Sequence, residues 1–305
     1  MVKHYVGLLV CFASVMMQAQ DLKLFSLQDF DLNGAVKECE VVTDYGREIF
    51  SFDSIGRLEK VVTKYNQEDQ DITSYRYKDA FLTEKRLESY KNGVLDPSTS
   101  MVNLYEVDSS EVMTVHERIL SLDKEFYEEQ RYFYDDQGRL ARIITSHENA
   151  VDEMVIAYEA YKGETTKTYV LNGTILKSIR KSTRSRGGNT FTVTLTKDFV
   201  DGEPSLAVEE RFDTEGKLIS KETFGYDRKS QQFVSQEIER YAYDTDGFLA
   251  ESENQVGNAR SSKAFIFQFD DHSEKNWVKK ITTPDNTYIT RRITYYPEET
   301  TAEED

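Results

Sequence analysis

The chain is short of the residues that usually staple or ligate a small exported fold. Of its 305 residues only two are cysteine, four histidine, four proline and one tryptophan. Cys11 falls in the leading apolar segment, so Cys39 stands alone in the remainder and no internal disulfide can form. Four prolines and 15 glycines exclude collagenous and low-complexity chains. Basic charge is scarce as well: 38 Lys and Arg against 55 Asp and Glu leave a net charge of −17. That excludes ordinary nucleic-acid binding, because phosphate recognition needs a concentrated basic surface. No stretch reaches the ~20 apolar residues of a membrane-spanning helix. Recognised catalytic motifs are missing too: there is no G-x-S-x-G elbow, P-loop, dinucleotide fingerprint or H-E-x-x-H.

What is abundant is aromatic. With 19 Tyr and 17 Phe the chain is too aromatic for general disorder, although its hydrophobic share is only 38%. At the N-terminus, Lys3 precedes an uncharged, mostly apolar segment from Tyr5 to Met17 that suits the h-region of a secretory signal. Ala19 offers a cleavage site, so residues 1–19 are expected to leave and the mature chain to begin near Gln20. Leu8-Leu9-Val10-Cys11 loosely resembles a lipobox, but Val10 is a poor residue there and the apolar run continues past Cys11, which argues against lipidation. The expectation is a soluble exported protein of the periplasm, outer surface or extracellular space.

One pattern, aromatic-Asp-x-x-Gly-x-Leu, occurs four times without mismatch: Phe52 to Leu58, Tyr134 to Leu140, Phe212 to Leu218 and Tyr243 to Leu249. Three copies carry a second aromatic two residues earlier, at Phe50, Tyr132 and Tyr241. Tyr75 to Leu82 is a degenerate copy without the glycine, and Phe267-Gln268-Phe269-Asp270 begins another that ends at Trp277. The chemistry of the pattern is that of a hairpin. Aromatics at i and i+2 share one face of a strand. Asp opens a type I turn by accepting bonds from amides further on. Gly three residues later takes the left-handed conformation of a G1 bulge, and Leu re-enters a strand. Asn92-Gly93, Asn172-Gly173, Gly187-Gly188 and Asp201-Gly202 add further hairpin signals. Intervening segments alternate: Phe191, Val193 and Leu195 share one face, as do Phe265, Phe267 and Phe269. Only the segment from Leu22 to Leu32 invites a short helical turn. The fold class is therefore all-β, with tandem antiparallel hairpins forming one elongated curved sheet or small open barrel over residues 20–296. An acidic tail, 297–305, is expected to fray.

These units resemble the YD repeats of the RHS-repeat superfamily. The chain is similar, more narrowly, to small exported YD-repeat proteins of Bacteroidota. That narrower likeness rests on the repeats, the early Asp31-Leu32-Asn33-Gly34-Ala35-Val36-Lys37 segment, and the closing Asn276-Trp277-Val278-Lys279-Lys280 and Arg291-Arg292-Ile293-Thr294-Tyr295-Tyr296. In large RHS proteins such repeats wind a β-shell around a cargo polypeptide; here few intact copies and no self-cleavage core or toxin domain leave an open sheet or small barrel as the implied form.

Candidate chemistry is sparse. Cys39, on an expected strand from Val36 to Thr43, reads as a semi-buried thiol, since His116, His147 and His272 sit in no recognisable motif with it. Asp244-Thr245-Asp246-Gly247 superficially fits a calcium loop and even places Glu253 at the closing position, but Ala242 falls at the opening one, so the turn reading is favoured. Asp270-Asp271-His272 with Glu274 reads as a polar hairpin tip or a weak cation site. Lys177, Arg180, Lys181, Arg184 and Arg186 form one basic cluster, either a docking site for an acidic partner or a solvated hairpin, with the second favoured. Asp53-Ser54-Ile55 resembles a short O-glycosylation acceptor motif inside a repeat turn. No catalytic, cofactor or metal residue is assigned, and the binding residues are left open. The leading function is a non-catalytic exported scaffold or binding protein of the cell envelope, for a protein or glycan partner, with no nucleic acid and no membrane span. The alternative is a hydrolase of glycans or envelope polymers that uses paired carboxylates.

Overall fold

The computed structural model describes residues 24–43, 46–147 and 150–297. The expected signal segment and nearly all of the acidic tail lie outside the described residues. Apart from one four-residue 3₁₀ turn, Leu27–Phe30, the described regular structure is strand. The strands are β1 (Val36–Thr43), β2 (Gly46–Phe52), β3 (Leu58–Lys64), β4 (Gln70–Lys78), β5 (Phe81–Lys91), β6 (Val94–Leu95) and β7 (Met101–Asp108). They continue as β8 (Thr114–Ser121), β9 (Tyr127–Tyr134), β10 (Leu140–Ser146), β11 (Val151–Tyr161), β12 (Glu164–Leu171), β13 (Thr174–Arg186) and β14 (Asn189–Val200). The last are β15 (Glu203–Phe212), β16 (Leu218–Asp227), β17 (Gln232–Tyr243), β18 (Leu249–Val256), β19 (Ala259–Phe269), β20 (Trp277–Thr283) and β21 (Thr287–Tyr295).

All four intact heptapeptides are chain reversals with one geometry. The amides of Asp53, Asp135, Asp213 and Asp244 donate to the carbonyls of Arg57, Arg139, Lys217 and Phe248 at 2.8, 2.8, 2.9 and 2.9 Å. Each Asp Oδ1 accepts the amide four residues on at 2.8 Å. Gly56, Gly138, Gly216 and Gly247 take φ of 84°, 72°, 84° and 90°, and the ladder shifts register beside every one of these turns. The degenerate copy closes instead on Asp79 at φ 55°. The sixth unit widens: Asp270 N–H donates to Asn276 O at 3.0 Å, and Asp270 Oδ1 accepts Asn276 N–H at 3.0 Å.

Every strand is antiparallel to its sequence neighbour except at β6, a short flap paired only with β5, after which β5 pairs with β7. The expectation of an open sheet or small barrel is corrected here. β21 pairs with β1 from Tyr295↔Val36 to Thr290↔Val42, so 20 of the 21 strands form one closed ring. Closure removes the edge strands that would otherwise invite pairing with another chain. Because direction alternates around the ring, all the repeat turns lie at one end, together with the entry to β1 and the exit from β21.

Pairing also sorts the side chains into two faces. On the inner face, Leu82, Tyr105, Val115, Tyr132, Leu140, Ile143, Met154 and Ile156 form one buried cluster. Leu32, Val36, Cys39, Phe52 and Leu58 form another. Val36 and Cys39 are both buried despite an odd spacing because the register shifts between Val36 and Glu38. Cys39 is 1% exposed, so the semi-buried thiol of the sequence reading is in fact fully buried. From β13 to β19 the inner face carries no buried hydrophobic residue among those described, and β16 is partly exposed along both faces. A ring this wide leaves room for water inside.

Candidate functional site

Three arrangements carry the polar chemistry of the described residues. The first is a clasp repeated at the turn end of the barrel. Tyr77, Tyr158 and Tyr243 each donate a phenolic O–H to the carbonyl of a repeat leucine: Leu58 at 2.6 Å, Leu140 at 3.0 Å and Leu218 at 2.9 Å. Over the same rings lie the cations that precede those leucines, Arg57 and Arg139 at 4.4 Å and Lys217 at 5.6 Å from the ring centres. Each turn is thus held by the hairpin that follows it. In the fourth copy Phe248 replaces the cation and packs on Phe269 and Phe267, with centroids 4.7 and 5.4 Å apart.

At the first turn a strap of residues 24–35 joins the clasp. Leu27 N–H donates to Gly56 O and Leu58 N–H donates to Phe25 O, both at 3.0 Å, so Ser26 forms an antiparallel bridge with Arg57. Phe30 packs on Phe50 and Phe52. Further along, Asn276 pairs with Asn33 through both of its amide atoms at 2.8 Å, and Arg291 donates to Phe30 O at 2.9 Å while stacking 3.4 Å from the Trp277 ring centre. Tyr296 closes the ring by donating to Phe52 O at 2.7 Å. Burial beneath this strap raises the Cys39 thiol to about 11, and the same desolvation lowers the cations Arg291 and Lys280 from their usual ranges. Buried and held in its protonated form at neutral pH, the Cys39 thiol is a poor nucleophile.

The second arrangement is a polar network on the inner wall. Glu117 is 5% exposed and accepts Tyr132 O–H at 2.5 Å and Asn103 Nδ2–H at 2.7 Å. Tyr132 also reaches Gln130, which donates to Glu128, and Glu128 lies 3.1 Å from His147 Nδ1. Burial, then the Glu117 charge, pushes the Tyr105 and Tyr132 phenols far above their ordinary range. A paired-acid hydrolase needs two carboxyl groups facing a substrate across a cleft. Glu117 and Glu128 are instead linked side by side through Gln130, and each already has donors of its own.

The third is the outer face, whose strands carry charge along their length. Glu40 lies between Arg47 and Arg292, Glu84 between Arg76 and Arg86, Glu209 between Arg184 and Arg211, and Glu253 between Arg240 and Arg260. Around the ring Arg118 pairs with Glu106, Arg142 with Glu153 and Arg180 with Glu164. The inner face is charged as well, with Lys177 beside Asp198 and Lys221 beside Glu239. Neither face presents a continuous apolar band.

The remaining sequence candidates resolve into turns and faces. The basic cluster does not form one patch: Lys177 and Lys181 point inward, while Arg180 and Arg184 point outward to Glu164 and Glu209. Asp244 spends its carboxylate on the amides of Asp246 and Phe248. Asp270 is bonded to Asn276 and Tyr295, and His272 stacks on the Tyr295 ring at 3.7 Å. Among the described residues no group of three or more His, Cys, Asp or Glu is placed to hold a metal ion. Ser54 and Ile55 are exposed at the tip of the first turn, with Ile55 72% exposed. Trp277 is buried under Arg291, whereas Tyr65, Tyr127, Tyr161 and Tyr288 are exposed. The strap and the inner tyrosine–carboxylate network were missed in the sequence. Phe25, Phe30 and Leu32 were their only local trace.

No family model matches the chain, and no curated protein matches it. Among solved structures it is similar to a porin-like protein from Bacteroides uniformis at 9% identity and a TM-score of 0.33, covering 85% of this chain and 96% of that one. A porin-like protein from Bacteroides vulgatus aligns at 10% identity and a TM-score of 0.29, covering 87% and 100%. No helix of the described residues is long and apolar enough to cross a membrane.

Proposed function

We propose that the chain is an exported, non-catalytic β-repeat barrel that serves the cell envelope as a scaffold or binding protein for a protein or glycan. The observation that carries this reading is the charge distributed along the strands on both faces of the ring. A transmembrane barrel needs an outward apolar band about 25 Å tall with aromatic girdles, and Arg or Lys at its middle costs about 2–4 kcal/mol each. Arg47, Arg76, Arg131, Arg142, Arg240 and Arg292 all stand on the outer wall, 43–81% exposed. The barrel is therefore read as bathed in water on both sides and used for its surface. The exposed tyrosines Tyr161 and Tyr288 give that surface flat apolar faces on which a sugar ring can stack.

Fractionation of native cells followed by affinity purification tests the reading. The protein is expected to leave membranes in an alkaline carbonate wash and to retain an envelope protein or glycan. Resistance to that wash, or turnover of envelope polysaccharide by the purified chain, contradicts it.

A further inference from the structure

Elsewhere on the outer wall a carboxylate is shared between two arginines, as at Glu40, Glu84, Glu209 and Glu253. The wall over β7, β8 and β9 is built differently. Its register stacks three outward rungs: Asp108, Thr114 and Phe133; then Glu106, His116 and Arg131; then Leu104, Arg118 and Glu129. The first two rungs line a cleft of about 440 Å³, a size at which small molecules are held. The third rung braces the second: Arg118 pairs with Glu106 Oε1, and Glu129 lies 3.5 Å from His116 Nε2 and 3.9 Å from Arg131 Nη2. Glu106 Oε2, His116 Nδ1 and the rest of the Arg131 guanidinium have no partner among the described residues. Asp108 accepts the Ser110 amide at 2.9 Å and has no cation beside it among those residues. Phe133 adds an apolar wall, its ring centre 4.3 Å from the Arg142 guanidinium.

We infer that this cleft is a binding site for an uncharged sugar, whose hydroxyls donate to Glu106 and Asp108, accept from Arg131, and whose C–H face packs on Phe133. The acceptors on β7 stand about 10 Å from the donor on β9, two strand spacings away. Glu129 beside His116 Nε2 favours the proton there, so Nδ1 of the neutral ring is a further acceptor, and the Thr114 hydroxyl serves as either. Charge chooses the ligand. An anion entering the cleft meets Glu106 and Asp108, and a cation meets Arg131 with Arg118 behind it. A hydroxyl carries no net charge and both donates and accepts, so a ring bearing several of them satisfies both walls at once. Because the third rung already fixes Glu106, His116 and Arg131, little side-chain freedom is lost on binding. The inference deepens the scaffold reading by choosing glycan over protein and giving it a place on the wall. It rests on that reading only for the envelope as the source of the sugar.

The test is isothermal titration calorimetry of the full chain with maltohexaose, mannohexaose, laminarihexaose and chitohexaose, and with hexagalacturonate as the charged counterpart. Saturable binding of at least one uncharged oligosaccharide is expected, with slowed amide hydrogen exchange confined to β7, β8 and β9. Arg131→Met and Glu106→Gln each remove hydrogen bonds to a charged group and are expected to weaken binding at least about tenfold. Both side chains are exposed, at 60% and 64%, so the variants are expected to keep the fold, which circular dichroism checks. Arg240→Met, on the outer wall at β17, is expected to bind as the unmodified chain does. Absence of saturation with every uncharged probe overturns the site. Unchanged affinity in the Arg131 and Glu106 variants, or tighter binding of hexagalacturonate, overturns it as well. If envelope material retains the protein and both variants equally, this site falls and the scaffold reading stands. Binding of an uncharged sugar by a chain that resists the carbonate wash has the reverse meaning.

Discussion

Leu140 and Leu218 occupy the same place in two copies of one turn, yet Leu140 is 1% exposed and Leu218 is only half-buried. The Asp and Gly geometry around them is the same, and a tyrosine from the next hairpin bonds both carbonyls. The difference lies in what stands inside. Under Leu140 the inner wall presents Ile143, Met154, Tyr132 and Ile156. Under Leu218 it presents Lys221, Thr223, Glu239 and Glu237, through the registers of β16 with β17. The two arcs teach that the turn motif sets the hairpin and the ladder without specifying a core. From β1 to β12 stability comes from burial as well as pairing. From β13 to β19 it comes chiefly from long ladders, up to the ten pairs between β13 and β14, with burial reduced to Val193 and Ala207 on the outer face and none of the hydrophobic residues buried on the inner one.

That contrast breaks first at the two leucines. Leu140→Ala is expected to cost about 3 kcal/mol in urea unfolding, the range for a large side chain removed from a closed core. Leu218→Ala is expected to cost less than about 1 kcal/mol, because little apolar area there leaves water. Equal costs would dissolve the distinction between the arcs. The glycines sharpen it in the other direction. Gly138→Ala and Gly216→Ala both place a Cβ at positive φ, 72° and 84°, where neither meets a neighbour. Each is expected to lose about 1–2 kcal/mol, the left-handed penalty alone, so their denaturant midpoints should fall by similar amounts. A large difference between them would show that the turns are not equivalent.

Alkaline pH separates the arcs more gently. Cys39 is raised from 9.0 to about 11 by burial and Tyr77 is raised to about 12, also chiefly by burial. Between pH 9 and 11 the folded thiol keeps a proton that the unfolded chain has released, so stability falls as pH rises through that window. Cys39→Ala is expected to flatten that part of the decline in urea midpoints measured from pH 8 to pH 11. An unchanged slope would mean that the strap does not seal the thiol. Salt should matter least. The outer Arg–Glu pairs are exposed, each worth about 0–1 kcal/mol, so raising sodium chloride to about 1 M is expected to move the thermal midpoint by only a few degrees. A collapse of the fold at high salt would make those pairs structural rather than solubilising.

Much of the hairpin architecture was legible in the residues. The spacing of Asp53 and Gly56 fixes a reversal through local chemistry, and Val36–Thr43 emerges with the expected bounds. Closure was not legible. It depends on Ile293 meeting Cys39 across almost the whole length of the chain, and no local pattern reports such a register. The number of reversals was understated as well, because most of the hairpins use turns outside the heptapeptide, such as Lys162-Gly163 and Gln231 at positive φ. The strap escaped for a related reason: Phe25 and Leu27 alternate like a strand but pair at one point only, Ser26 with Arg57. As for the site, the basic residues from Lys177 to Arg184 looked contiguous in the sequence. A strand sends neighbours to opposite faces, which divides them.

Closure is tested most directly by residue-resolved amide exchange across β1 and β21. The closed ring predicts slow exchange for the paired amides of Cys39, Val41, Arg291 and Ile293, comparable to central strands such as β8. Rapid exchange at every second amide of β1 or β21, the signature of a free edge, would contradict it.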